Sequence, residues 1–115
     1  MSIPSFWKVK PYMDEWSKEQ YTSFMENGST GLVYFYTPLC GTCQVASKML
    51  LVISELMPVL SIGKLNANYV PDLAHSLSIE SVPSLLFIKD GEVLERIYAF
   101  HSVPYLVEKI KKLIY

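Results

Sequence analysis

A chain of 115 residues, half of them hydrophobic and 13% aromatic, is long enough to bury one core without disulfide staples or a structural metal. Ten basic residues against eleven acidic ones leave a net charge of −1, so there is no basic surface to suggest nucleic acid or an anionic membrane as partner. No apolar run reaches the roughly 18 residues of a membrane span, and Met1 to Lys10 lacks the basic start and long apolar stretch of a secretory signal, so the chain reads as one cytoplasmic domain over 1–115.

In chain order, residues 1–16 are broken up by Pro4 and Pro11, with Phe6, Trp7, Tyr12 and Trp16 as apolar anchors for a short edge strand. Ser17-Lys18-Glu19-Gln20 fits a capping box that opens a helix with Tyr21, Phe24 and Met25 on its apolar face; Asn27-Gly28 ends it. Gly31 to Tyr36 is short, aromatic and β-branched, the pattern of a buried strand. A long helix follows over about 40–57, its expected apolar stripe formed by Val45, Met49, Val52, Ile53 and Leu56, and Pro58 closes it. A second strand lies within Val59 to Asn66, and Val70 to Leu77 suits a short helix with Pro71 in its first turn. Leu85–Ile88 and Val93–Tyr98 flank Lys89-Asp90-Gly91-Glu92, whose Asp-Gly predicts an antiparallel hairpin. Val103 to Tyr115 ends the chain as a helix with Leu106, Val107, Ile110, Leu113 and Ile114 on one face. This order predicts an α/β fold, a mixed central sheet of four to five strands flanked by helices on both faces.

The chain's two cysteines lie in Thr37-Pro38-Leu39-Cys40-Gly41-Thr42-Cys43, three positions apart, where a strand ends and a helix begins. Unpaired N–H groups and the positive end of the helix dipole favour a thiolate there. A thiol lowered from about 8.5 to about 7 is roughly half ionised at neutral pH. Cys40 is therefore the candidate nucleophile, and Cys43, one turn on, the residue that attacks the mixed disulfide formed at Cys40. A zinc site is the competing reading of such a pair, but there is no second cysteine pair, and His75 and His101 share no ligand spacing. No metal and no cofactor are implied.

The chain resembles the thioredoxin family over roughly residues 12–115. The likeness rests on the strand–Cys40-Gly41-Thr42-Cys43–helix unit, Lys64-Leu65-Asn66 at a strand end, Ser81-Val82-Pro83-Ser84 before a strand, and the Lys89-Asp90-Gly91-Glu92 hairpin. The resemblance implies a thioredoxin-like fold and a cis Val82–Pro83 bond facing the nucleophilic sulfur. It also implies substrate contact through Leu39, Gly41, Thr42, Val82 and Pro83. Four positions depart from the family pattern. Leu39 stands where close relatives have tryptophan, Thr42 where they have proline, and Lys48 where they have a helix-kinking proline. Tyr34 takes the place of a buried aspartate that helps remove the resolving thiol's proton. A phenol is a poor base at neutral pH, so Tyr34 and Lys64 are kept as a candidate proton-transfer environment, each with a plain alternative: Tyr34 as core, Lys64 as a strand-end lysine.

The resemblance implies a monomeric thiol–disulfide oxidoreductase. Its partners would be disulfide-containing proteins and a thioredoxin-reductase-type enzyme that regenerates the dithiol. The alternative is a binding or redox-sensing module on the same fold, docking a partner through Leu39, Thr42 and Pro83 with little turnover.

Overall fold

The structure is a computed structural model and describes residues 13–115. The proposed anchors Phe6, Trp7 and Tyr12, with Pro4 and Pro11, lie outside the described residues. Five strands form one sheet: β1 (Asp14–Glu15), β2 (Gly31–Tyr36), β3 (Ser61–Asn66), β4 (Ser84–Lys89) and β5 (Glu92–Ile97), in the spatial order β1-β3-β2-β4-β5. β1, β3 and β2 run parallel, and β4 and β5 extend the sheet antiparallel. Among the described residues, α1 (Lys18–Glu26), α2 (Gly41–Leu56) and α3 (Pro71–Ser76) connect successive strands, and α4 (Val103–Leu113) follows β5.

Alternation along the central strands builds two cores. Leu32 and Tyr34 of β2, with Leu85 and Phe87 of β4, face α2 and α4. Val33 and Phe35, with Leu86 and Ile88, face α1 and α3. The sheet is thus covered on both sides, as a parallel centre requires.

Local chemistry fixes the element ends. The Ser17 and Gln20 side chains cap α1 reciprocally, satisfying two of the N–H groups a helix start leaves open. Asp90 and Gly91 have φ of 52° and 79°, the paired positive values of a tight hairpin turn that glycine adopts without steric cost. At the other sheet edge, the Trp16 ring lies so close to Gly63 that a Cβ there would sit 2.1 Å from it. A larger residue at 63 would push out the tryptophan that links β1 to α1.

The buried face of α2 differs from the expected stripe. Cys43, Ala46, Leu50 and Ile53 are buried, with Met49 partly so, whereas Val45, Val52 and Leu56 face solvent. This helix is apolar around much of its circumference, so periodicity alone does not select the inward face. The Cys43 side, which packs over Tyr34, points in.

Candidate active site

The sharp passage from β2 into α2 sets the geometry. Cys40 is the N-cap of α2, with φ −95° and ψ 113°. Its sulfur accepts a hydrogen bond from the Cys43 N–H at 3.1 Å. The Thr42 hydroxyl lies 3.2 Å from the same sulfur. Hydrogen bonding from the Cys43 side chain and then from Thr42 lowers the Cys40 thiol below its usual range, as expected where donors converge on a helix start. Cys43 has the opposite environment. Only 2% exposed, it is pushed up to about 11, chiefly by burial and next by its hydrogen bond to Cys40. The two thiols, both free, are therefore unequal: one accessible and acidic, the other shielded and held protonated.

The loop before β4 completes the site. The Val82–Pro83 peptide is cis, and the Cys40 sulfur lies 3.9 Å from the Val82 carbonyl. Beside it opens an apolar cleft of about 390 Å³, with Thr42 and Met49 on one wall and Pro83, Tyr98, Phe100 and His101 on the other. Leu39 stands 99% exposed at the rim, and Gly41 has open space where a side chain would project. All five residues expected to meet substrate thus gather around Cys40 in sequence or in space.

The two residues of the suspected proton-transfer environment separate. Tyr34 is fully buried beneath α2, its hydroxyl donating to the Cys43 carbonyl at 2.8 Å and lying 3.0 Å from the Ser47 hydroxyl. Burial raises its own pKa above the ordinary phenol value, so near neutral pH it is a hydrogen-bond donor and not a base. Lys64 turns to the sheet edge, where its ammonium lies 3.9 Å from Glu15 and 5.3 Å from the centre of the Tyr36 ring. Tyr36 in turn donates to Glu15.

Sequence reasoning missed three residues here. Glu15 supplies Lys64 with a carboxylate from the edge strand, a pairing no local pattern reveals. Ser47 was unremarkable in a helical run. His101, an exposed residue, also lines the cleft that Thr42 borders, with φ 59° and its ring edge-to-face with Tyr105 at 4.6 Å. Among the described residues, no group of three or more histidine, cysteine or acidic side chains is arranged to hold a metal ion, and no helix is long and apolar enough to cross a membrane.

Comparison with known proteins places this arrangement in a family. Residues 13–112 match the family model for thioredoxin. The chain is 54% identical over 81 residues to the thioredoxin-like protein YusE of Bacillus subtilis, covering 70% of this chain and 76% of that one. It is 29% identical over 96 residues to thioredoxin of Chlamydia pneumoniae, covering 84% and 93%. Among solved structures, thioredoxin from Trypanosoma brucei brucei superposes with a TM-score of 0.82 over 99% of this chain and 98% of that one, at 16% identity. The chain belongs to the thioredoxin family.

Proposed function

We propose that this chain is a protein thiol–disulfide oxidoreductase in which Cys40 attacks and Cys43 resolves. The observation that carries the reading is the inequality of the two sulfurs: Cys40 accessible, acidic and fed by donors at the start of α2, Cys43 buried behind it and protonated. In the first step the Cys40 thiolate attacks a substrate disulfide, forming one S–S bond and releasing one substrate thiolate, which takes a proton from solvent. In the second, Cys43 gives up its proton and attacks the Cys40 sulfur. The remaining substrate thiolate leaves, and Cys40 and Cys43 are left as a disulfide. Two electrons pass from the dithiol to the substrate.

Leu39, Gly41, Thr42, Val82 and Pro83 frame the substrate chain in this reading, and the apolar cleft beside them suits a disulfide flanked by hydrophobic residues. The partners are then disulfide-bearing proteins and a thioredoxin-reductase-type enzyme that restores the dithiol. The reading places one domain over 1–115, working as a monomer in a reducing compartment such as the cytoplasm, where paired cysteines serve exchange more than stapling.

Reduction of insulin disulfides in the presence of dithiothreitol tests the proposal. The protein should accelerate reduction well above dithiothreitol alone. A rate equal to the background, with the protein folded and both thiols free, would favour the alternative of a binding module.

A further inference from the structure

Directly beneath the cysteine pair lies a buried polar group to which the reading above gives no role, the Tyr34 hydroxyl. Its single proton goes to the Cys43 carbonyl, so the Ser47 hydroxyl, 3.0 Å away, must be the donor in their shared bond. The Cys43 carbonyl does not depend on Tyr34, because the Ser47 N–H, four residues on in the same helix, is its regular partner. The phenol is therefore a donor with a dispensable acceptor, fixed in place by a second hydroxyl. Cys43 and Ser47 also line an open cavity of about 410 Å³, shared with Tyr36, Gln44 and Lys48. None of the residues lining it belongs to the substrate cleft, so Cys43 borders a second opening distinct from that cleft.

We propose that Tyr34, braced by Ser47, carries Cys43 through ionisation when the mixed disulfide is resolved: its hydroxyl swings from the Cys43 carbonyl to the Cys43 sulfur as the thiol proton leaves into the cavity. The inference rests on the exchange reading above and supplies its second step. The S–H bond of Cys43 breaks with the proton passing to solvent, and the thiolate forms the bond to the Cys40 sulfur. The substrate thiolate is expelled and protonated by solvent in turn. Tyr34 lends a hydrogen bond throughout and neither gains nor loses a proton.

The surroundings leave this task to few groups. In the reduced protein, burial and the neighbouring Cys40 sulfur raise the Cys43 thiol, whereas the Thr37 backbone and the nearby Tyr34 hydroxyl act to lower it. Once Cys40 is tied up in a mixed disulfide its charge is gone, and burial is opposed by Thr37 and Tyr34. The other titratable side chains nearby are Lys48 of α2 and Tyr36 of β2, both at the cavity, and Lys64 of β3, whose ammonium turns to Glu15 of β1. From β4 and α4 the same core receives the apolar side chains of Leu85, Phe87, Leu106 and Ile110, and Phe100 packs edge-on to Tyr34 at 6.0 Å between ring centres.

Stopped-flow reaction of the reduced protein with dithiobis(nitrobenzoate) separates the two steps. The first coloured thiolate is released on attack by Cys40 and the second on resolution by Cys43. Tyr34→Phe should leave the first phase unchanged and slow the second about tenfold or more at neutral pH, the scale of a lost hydrogen bond to a charged group. The gap should close as pH rises and Cys43 ionises unaided. Ser47→Ala, which keeps the phenol but removes its brace, should slow the second phase by less. In the cysteine carbon-13 spectrum of the reduced protein, which needs no substrate, Cys43 should stay a thiol to higher pH in both variants. An unchanged second phase at every pH, or an unchanged Cys43 titration, overturns the inference. A merely structural role would slow both phases equally and independently of pH, which overturns it too. Loss of the first phase already in the wild type would instead remove the exchange reading, and the titration would still decide the role of Tyr34. Should Tyr34→Phe fail to fold, Ser47→Ala carries the test alone.

Discussion

Replacing Cys40 by serine is expected to bring disulfide reduction down to the uncatalysed background, whereas Cys43→Ser should leave the first step working and strand the substrate on the protein. The difference follows from position. Cys40 is the sulfur on which the Cys43 N–H and the Thr42 hydroxyl converge at the start of α2, and a serine hydroxyl there is not ionised at neutral pH. Cys43 is too buried to meet a folded substrate, so its loss removes only the escape from the intermediate. With insulin as substrate, mass spectrometry under non-reducing conditions should find an adduct on Cys40 in the Cys43→Ser variant, released by dithiothreitol. An adduct on Cys43 in the Cys40→Ser variant, or retained turnover there, would reverse the roles.

Tyr34→Asp is expected to produce the largest loss of stability of any single change at the site. Tyr34 has no exposed surface and packs against Phe100 and Tyr36 under α2. Emptying a buried aromatic site costs about 3–5 kcal/mol by itself, and a carboxylate in the same layer adds desolvation on top. Burial raises the pKa of such a carboxylate above its unfolded value of about 3.9. The raised value fixes the sign of the pH dependence. The part of the deficit due to charge is absent below about pH 4, where the group is protonated in both states, and grows as pH rises through the folded-state pKa. Denaturation midpoints of variant and wild type should therefore draw closer on acidification. A gap that stays constant from about pH 4 to pH 7 would mean that the new carboxylate has found a partner, for which Lys64 would have to leave Glu15.

Much of this was legible from residue spacing because the signals were local. The capping box at Ser17, the Asp90-Gly91 turn and the strand–cysteine–helix unit each occupy a few consecutive residues, and each appears where the pattern put it. The inward face of α2 was not legible. Ala46, Leu50 and Ile53 compete with Val45, Val52 and Leu56 on a helix that is apolar nearly all round, and only packing against β2 and α4 decides between them. The same limit hid the polar partners of the site. Glu15 reaches Lys64 from the edge strand, His101 enters the cleft wall from the loop before α4, and Ser47 meets Tyr34 across the helix–sheet interface. Such pairings depend on which face of α2 turns inward and on strand order, which single-sequence periodicity does not encode. The departures at Leu39, Thr42 and Tyr34 could be seen in the sequence, but their consequences could not. Thr42 places a hydroxyl 3.2 Å from the Cys40 sulfur and Tyr34 donates to the Cys43 carbonyl, so two residues that break the family pattern bring hydroxyls beside the two cysteines.

The central claim is the inequality of Cys40 and Cys43, and competitive alkylation of the fully reduced protein across pH tests it most directly. After brief iodoacetamide treatment, peptide mapping by mass spectrometry gives a rate for each cysteine at each pH. Cys40 should label first, with a half-maximal rate below the ordinary thiol value of about 8.5. Cys43 should remain unlabelled until far higher pH, consistent with a thiol pushed up to about 11 by burial. Preferential labelling of Cys43, or a Cys40 midpoint above about 8.5, would contradict the account.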